Sequence, residues 1–393
     1  MTSSLTKNRI ESIDLLKGLV MVIMALDHVR DYTHAPSFLY NPTDPAHTSW
    51  PIFFTRWITD FCAPTFSFLA GLSAFLVSKR KTTGELSAFL FKRGLWLIFI
   101  ELTVVNFAWF FDVHFRTPGL ITIWSLGASM IVLSALVHLP IKAILVFSSL
   151  LIFGHNLLDN VHFRGSITWA ALHDGGEFPF DNNYYHFEIW YPIVPWIAVM
   201  ALGYCFGPLY DKTYDGAKRR KTINIAGASA IALFIILSAI NKYGDKFGWK
   251  YYPTTSQTLM SVFNPLKYPP SLLYLLMTMG PALIFLANAE NLKGKVVDFF
   301  STFGKVPFFY YIIHIYVVHA IAMLLAQLTG FGWRSMIIFG GWVGDMPALK
   351  GYGFRLWVVY AIWIFVIALL YPVCKKFADY KLNYKEKWWL SYL

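Results

Sequence analysis

The chain has 393 residues, of which 56% are hydrophobic, 18% aromatic and 14% charged, against roughly 45–50% apolar and about 25% charged in a soluble domain. Its net charge of +11 does not point to nucleic acid, because the 33 lysines and arginines alternate between loops along the chain instead of gathering on one soluble surface. The excess of apolar surface requires lipid, and the expected fold is an all-α, polytopic membrane bundle forming a single domain over 1–393.

Residues 1–12 are polar and lead into an apolar stretch without a small-residue cleavage signature, so the first helix is expected to act as its own signal anchor. About ten apolar segments follow, at 13–32, 52–77, 88–112, 120–138, 141–157, 190–209, 222–241, 269–288, 307–328 and 354–373. Each is long enough for about 25 Å or more of helix. With the N-terminus inside, two thirds of the basic residues fall on one side, including the tail at 375–393. That asymmetry predicts cytoplasmic N- and C-termini. The short fifth segment and the stretch 329–353 fit the pattern least, and the run MIIFGGWVG in the latter is a candidate re-entrant segment.

The outer loops at 33–51, 156–189 and 242–268 are long and rich in His, Asp, Asn, Tyr and Trp, whereas the inner loops are short and basic. Chemistry on a polar substrate therefore belongs outside. Cys62, Cys205 and Cys374 fall in or beside different apolar segments and read as packing residues, not a disulfide framework. The chain has no internal repeat of the kind that marks inverted transporter halves.

Ionisable residues at bilayer depth cost a few kcal/mol or more and are functional candidates for that reason. The first helix ends in MALDHVRDYTH, which puts Asp27 and His28 about 20 Å above Ile13, with Asp31 one turn higher. A carboxylate beside an imidazole is what a general base needs; an ion-paired helix end is the plain structural alternative. His47 lies in the first outer loop, just before the second helix, which carries Arg56 and Asp60 at i, i+4 ahead of Pro64. That spacing predicts an intrahelical ion pair beside a kink, or a substrate contact. Glu101 sits in the third helix with no basic residue one turn away, and the ninth helix carries Tyr310, Tyr311, His314 and His319. Tyr310 and His314 are one turn apart and read either as a site or as a buried hydrogen bond. His28, Asp31, His34 and His47 are metal-ligand types, but His28 and His34 point about 120° apart on one helix and no metal-ligand spacing is present, so no metal is expected.

The opening RIESIDLLKGLVMVIMALDH, with Asp14, Lys17 and Gly18, resembles the transmembrane acyltransferases typified by heparan-α-glucosaminide N-acetyltransferase and its bacterial relatives. HTSW and DFCAPTFSFLAG (47–50 and 60–71), WSLGASMIVLSAL (124–136), YPIVPWIAVMALGYCFG (191–207) and GKVPFFYYIIH (304–314) extend the resemblance over nearly the whole chain. It implies a multi-pass protein of a bacterial-type inner membrane, with acetyl-CoA or another acyl-CoA arriving from the cytosol and a carbohydrate or glycoconjugate accepting the acyl group outside. Self-association into a homodimer is left open.

The family's catalytic histidine falls on His47, a polar residue at the top of its first helix on His28, and its late-helix histidine on His314. Lys17 replaces the arginine of the family's D-x-x-R-G pattern, and the loop between His47 and the second-helix motif is longer here. The residues expected to act are His47, His28 and Asp27 in proton transfer, and Trp50, Asp60, Glu101, His314 and Tyr310 against the substrate. Lys17, Arg93 and Lys305 are expected on the CoA phosphates, although the positive-inside rule alone also accounts for these three. A proton-coupled transporter or channel for a polar or anionic solute is the alternative, with Glu101, Asp27, His28 and His314 forming its path.

Overall fold

A computed structural model describes residues 11–181 and 184–391; the expected cytoplasmic N-terminal segment, with Lys7 and Arg9, lies almost wholly outside the described residues. Six helices are long and apolar enough to cross a bilayer by length and composition: Trp50–Ser78, Ile141–Leu158, Gly216–Ile240, Leu272–Asn291, Pro307–Leu328 and Leu356–Asn383. Thr122–Leu136 and Val194–Tyr210 are shorter apolar helices. Every apolar segment read from the sequence is helical over most of its length.

In chain order, α1 (Glu11–Thr33) is followed by α2 (Trp50–Trp57) and α3 (Cys62–Ser78), which one tight turn at Ile58–Phe61 joins into a single bent rod. The bend has a specific cause. Pro64 has no N–H to offer the carbonyl of Asp60, and the Tyr274 hydroxyl donates to that carbonyl instead at 2.8 Å. A capping box between Thr82 and Glu85 opens α4 (Thr83–Ile100), which widens into a π-turn at Glu101–Val105 and ends as α5 (Asn106–Phe110). Strand β1 (Gly119–Leu120), α6 (Thr122–Leu136), α7 (Ile141–Gly154) and the single turn α8 (Ile167–Trp169) come next.

The loop at 156–189 carries a hairpin that the all-α expectation did not include. Strands β2 (Gly176–Phe180) and β3 (Tyr185–Ile189) pair antiparallel with Glu177 opposite Glu188, and β1 adds parallel to β3. The remaining helices are α9 (Val194–Phe206), α10 (Gly216–Ile240), α11 (Thr255–Val262), α12 (Leu272–Asn288), the amphipathic α13 (Lys295–Lys305), α14 (Pro307–Leu328) and α15 (Leu356–Asn383).

Helix α1 is central, packed by α3, α12, α13, α14 and α15. Its closest neighbour is α13: a Cβ on Gly18 would collide with the carbonyl of Phe300, and one on Gly304 with the carbonyl of Asp14. Small residues that let two backbones touch are how helices associate where lipid removes the hydrophobic drive. The candidate re-entrant stretch 329–353 forms short 3₁₀ turns. It covers the end of the bundle at which α1 and α5 finish, with Ile338 N–H donating to Phe110 at the end of α5 and Phe354 N–H to Thr33 at the end of α1.

Candidate active site

The last turn of α1 opens into a cavity of about 610 Å³, within the usual range for small-molecule sites. Asp27, Arg30 and Asp31 form one side, and Tyr40, Trp190, Tyr191, Tyr268 and Trp342 the aromatic remainder, with Asp345 near the rim. Ring centroids lie 5.7 Å apart for Trp190 and Trp342, 6.1 Å for Trp190 and Tyr268, and 5.4 Å for Tyr191 and Tyr268.

A chain of alternating charges fixes the polar side. Arg30 donates through Nη2 to Asp27 at 2.9 Å and to Asp31 at 2.6 Å. Arg56 lies 3.7 Å from Asp27 and donates to Asp60 at 2.8 Å, and the Lys267 ammonium is 3.0 Å from the same Asp60 carboxylate. Charges withdrawn from water persist only when paired and hydrogen-bonded in this way. The network therefore holds carboxylates in fixed orientations against aromatic faces. That combination suits a sugar, whose C–H face stacks on rings while its hydroxyls donate to carboxylates.

Behind this wall lies His28, 8% exposed. Its ring sits 4.6 Å from Trp109, edge to face, and 4.9 Å from His314, stacked. His314 Nδ1 is 2.9 Å from the carbonyl of Tyr310, and its Nε2 is 2.6 Å from His28 Nδ1. A carbonyl only accepts, so with both rings neutral His314 Nδ1 carries the proton, His314 Nε2 accepts from His28 Nδ1–H, and His28 Nε2 keeps its lone pair. Trp109 also packs 5.0 Å from Trp342 of the cavity wall, linking the histidine pair to the cavity through two indoles.

The sequence profile described as heparan-alpha-glucosaminide N-acetyltransferase, catalytic, matches residues 9–240, more than half of the chain. The chain belongs to this family. No curated protein matches it. Membership in the N-acetyltransferase family makes the chain a transferase, and its apolar helices make it an integral membrane one. Lys267, Tyr268, His314 and Trp342 lie beyond the matched stretch, so the site draws on both parts of the chain.

Of the residues predicted to act, Asp27 lines the cavity, while His28 and His314 form the pair behind it. Asp60 belongs to the charge chain, and Arg56 is its predicted i, i+4 partner. Tyr310 stacks on His314 at 5.0 Å and edges onto Phe303, with its hydroxyl buried and without a hydrogen-bond partner among the described residues.

His47, expected from the resemblance to be catalytic, is held apart from these groups. It sits exposed on the loop after α1, with Nδ1 2.6 Å from Asp44 Oδ2. Burial alone would raise the Asp44 carboxyl, but hydrogen bonds from His47 and the Ala46 N–H outweigh it and hold Asp44 below the usual carboxylate range. The His47 ring is 5.9 Å from that of Tyr40, a cavity residue. Trp50 is not among the cavity residues; it is exposed and donates to Ser256 at 2.6 Å.

Glu101 also has work away from the cavity. Its Oε2 accepts from the Trp124 N–H at 2.8 Å, so it caps the first turn of α6 from a neighbouring helix. Lys17 donates to Ser73, Lys305 ends α13 beside Gly304, and Arg93 neighbours Gly94, where α4 meets α6. None of the three lines this cavity or a second one of about 500 Å³, at the opposite end of α1, bounded by Ser12, Tyr210, Arg219 and Glu290.

The sequence reading missed Arg30, Lys267 and the aromatic wall. The only available signal was the density of Tyr and Trp in the outer loops.

Proposed function

We propose that this protein moves an acetyl group from acetyl-CoA, arriving from the cytoplasmic side of a bacterial-type inner membrane, to an amine or hydroxyl of a carbohydrate held in the outer cavity. The observation that carries this reading is the aromatic and carboxylate cavity at the outer end of α1, with an oriented histidine pair directly behind it. About ten spans with both termini cytoplasmic belong to the same reading.

In the reaction, the acceptor nitrogen or oxygen attacks the thioester carbon, the C–S bond breaks, and the acceptor's proton passes through a base to the departing CoA sulfur. His47 takes the base role: its Nδ1–H donates to Asp44, which leaves Nε2 free to accept a proton. His47 stands one ring away from the cavity, 5.9 Å from Tyr40 of its lining. His28 has the same free Nε2 on the opposite side, and it orients the acceptor or takes over proton transfer. Asp27, fixed by Arg30 and Arg56, receives an acceptor hydrogen. Lys17, Arg93 and Lys305 attract the CoA phosphates at the inner face.

Glu101, a member of the transporter reading's path, already holds the Trp124 N–H through Oε2, which weighs against that reading. The test is incubation of the purified protein in lipid with acetyl-labelled CoA and a panel of sugars. Label on a sugar supports transfer. Label that is only hydrolysed, together with sugar movement across vesicles, overturns it.

A further inference from the structure

A second, smaller cavity of about 160 Å³ adjoins the first, and the two share Trp190 and Tyr268. It lies between the β2–β3 hairpin and the Tyr268–Pro269 segment, with Asp174 and Glu177 as its charged edge. Gly175 and Gly176, at φ of 68° and 136°, bring bare backbone to it, and a Cβ on Gly175 would meet the Ile189 carbonyl at 2.9 Å.

Its walls are fixed. Trp190 donates through its backbone N–H to Leu120 and through its indole N–H to Glu188 Oε2 at 2.7 Å. Asp174 accepts from His162 at 2.9 Å and lies 3.2 Å from His173 Nδ1.

We propose that this cavity is a second saccharide subsite, continuous with the acceptor site and selective for an uncharged or amine-bearing sugar over a sulfated or carboxylated one. The proposal rests on the carbohydrate-acceptor reading given above. Trp190 and Tyr268 line both cavities, so two rings joined by a glycosidic bond have aromatic surface to stack on in each. The small cavity has room for about one sugar ring. Among the described residues, two carboxylates and no cation line it, and Glu188, whose Oε1 has no partner among them, stands directly opposite Glu177 in the hairpin. Asp174 is already held by His162, so an anionic substituent there meets like charge chiefly at Glu177, which is how a site rejects a partner.

The experiment compares three acceptors: an amino sugar, a neutral disaccharide ending in that sugar, and the same disaccharide sulfated on its second unit. Each is measured as acetyl acceptor and by calorimetric titration, with wild type, Glu177→Gln and Glu177→Lys. Glu177 is exposed on a hairpin, so these variants keep the fold. The expected result is a KM for the neutral disaccharide roughly tenfold below that of the monosaccharide, with kcat little changed. Sulfation should erase the gain, and Glu177→Lys should restore it for the sulfated disaccharide while leaving the monosaccharide unaffected.

Equal KM and Kd for one and two sugars, or no difference on sulfation, overturns the subsite while acetylation of the monosaccharide leaves the acyltransferase reading standing. Tighter binding of the neutral disaccharide without acetylation of any acceptor has the opposite meaning: the subsite stands and the transfer reading fails.

Discussion

His28 and His314 are 286 residues apart in sequence, yet their imidazoles share a hydrogen bond of 2.6 Å between α1 and α14. Helix α14 orients its own histidine, because the Tyr310 carbonyl one turn earlier fixes the tautomer of His314, and His314 then fixes that of His28 across to α1. His314→Ala should therefore lower kcat about tenfold or more while changing acceptor KM little, and His314→Gln, which offers an acceptor in place of Nε2, should recover part of the loss. Steady-state kinetics on the purified variants decides it. An unchanged kcat for His314→Ala would detach the pair from the chemistry.

His47→Ala should abolish transfer in a folded protein, since a positioned base contributes about 10²–10⁴-fold. Asp27→Asn and His28→Ala should weaken transfer strongly, and Asp44→Asn should weaken it less. If His28 is the base, the order reverses, with His28→Ala inactive and His47→Ala only impaired. Near-normal turnover in both histidine variants would sink the mechanism.

Glu188 gives a pH dependence of known sign. Burial pushes its carboxyl up to about 7, against the hydrogen bond from Trp190, and the charges of Glu177 and Asp345 add to the rise. A carboxyl whose folded-state value lies above its unfolded value binds more protons when folded, so stability falls as pH rises from about 4.5 to about 7 and then levels off. Glu188→Gln should flatten that slope and raise the thermal midpoint at pH 8, while the amide oxygen still accepts from Trp190. Parallel melting curves for wild type and variant between pH 5 and pH 8 would show that Glu188 does not titrate there.

Glu101 separates a capping role from a proton path. Glu101→Gln keeps an acceptor for the Trp124 N–H and should retain most activity, whereas Glu101→Ala should cost about 1 kcal/mol as α6 loses its cap. Activity lost in both variants, with melting unchanged, would give Glu101 a part in the chemistry instead.

For the topology, single cysteines at Gly84 and Ala217 should be shielded from an impermeant thiol reagent in intact cells, while those at Ala46 and Lys250 should react; all four sites are exposed. Labelling at position 217 from outside would invert the orientation and, with it, the side from which acetyl-CoA arrives.

Much of the bundle could be read from the chain because membrane helices announce themselves by long apolar runs, and an ionisable residue within one stands out. Asp27, His28 and His314 were visible for that reason, and the Arg56–Asp60 pair followed from helical spacing. Lys267 was not visible: its partner Asp60 lies more than two hundred residues earlier, and a lysine in an outer loop looks like any other. Glu101 stood out as an acid in an apolar run, but that its Oε2 accepts from the Trp124 N–H of another helix could not be read from spacing along its own. The β2–β3 hairpin was hidden by its short strands, with Pro179 interrupting one of them. Trp190, Tyr268 and Trp342 lie outside the long helices, where periodicity says nothing about which face a ring presents.

The family profile ends at residue 240, but Tyr268 and Trp342 close the aromatic side of the cavity from beyond that limit. The matched part is thus not a portable cassette. A chimera that keeps residues 9–240 and exchanges the rest for a relative's sequence splits the aromatic wall and the His28–His314 pair between two parents, so acceptor recognition in such a lineage has to change on both sides of that boundary together.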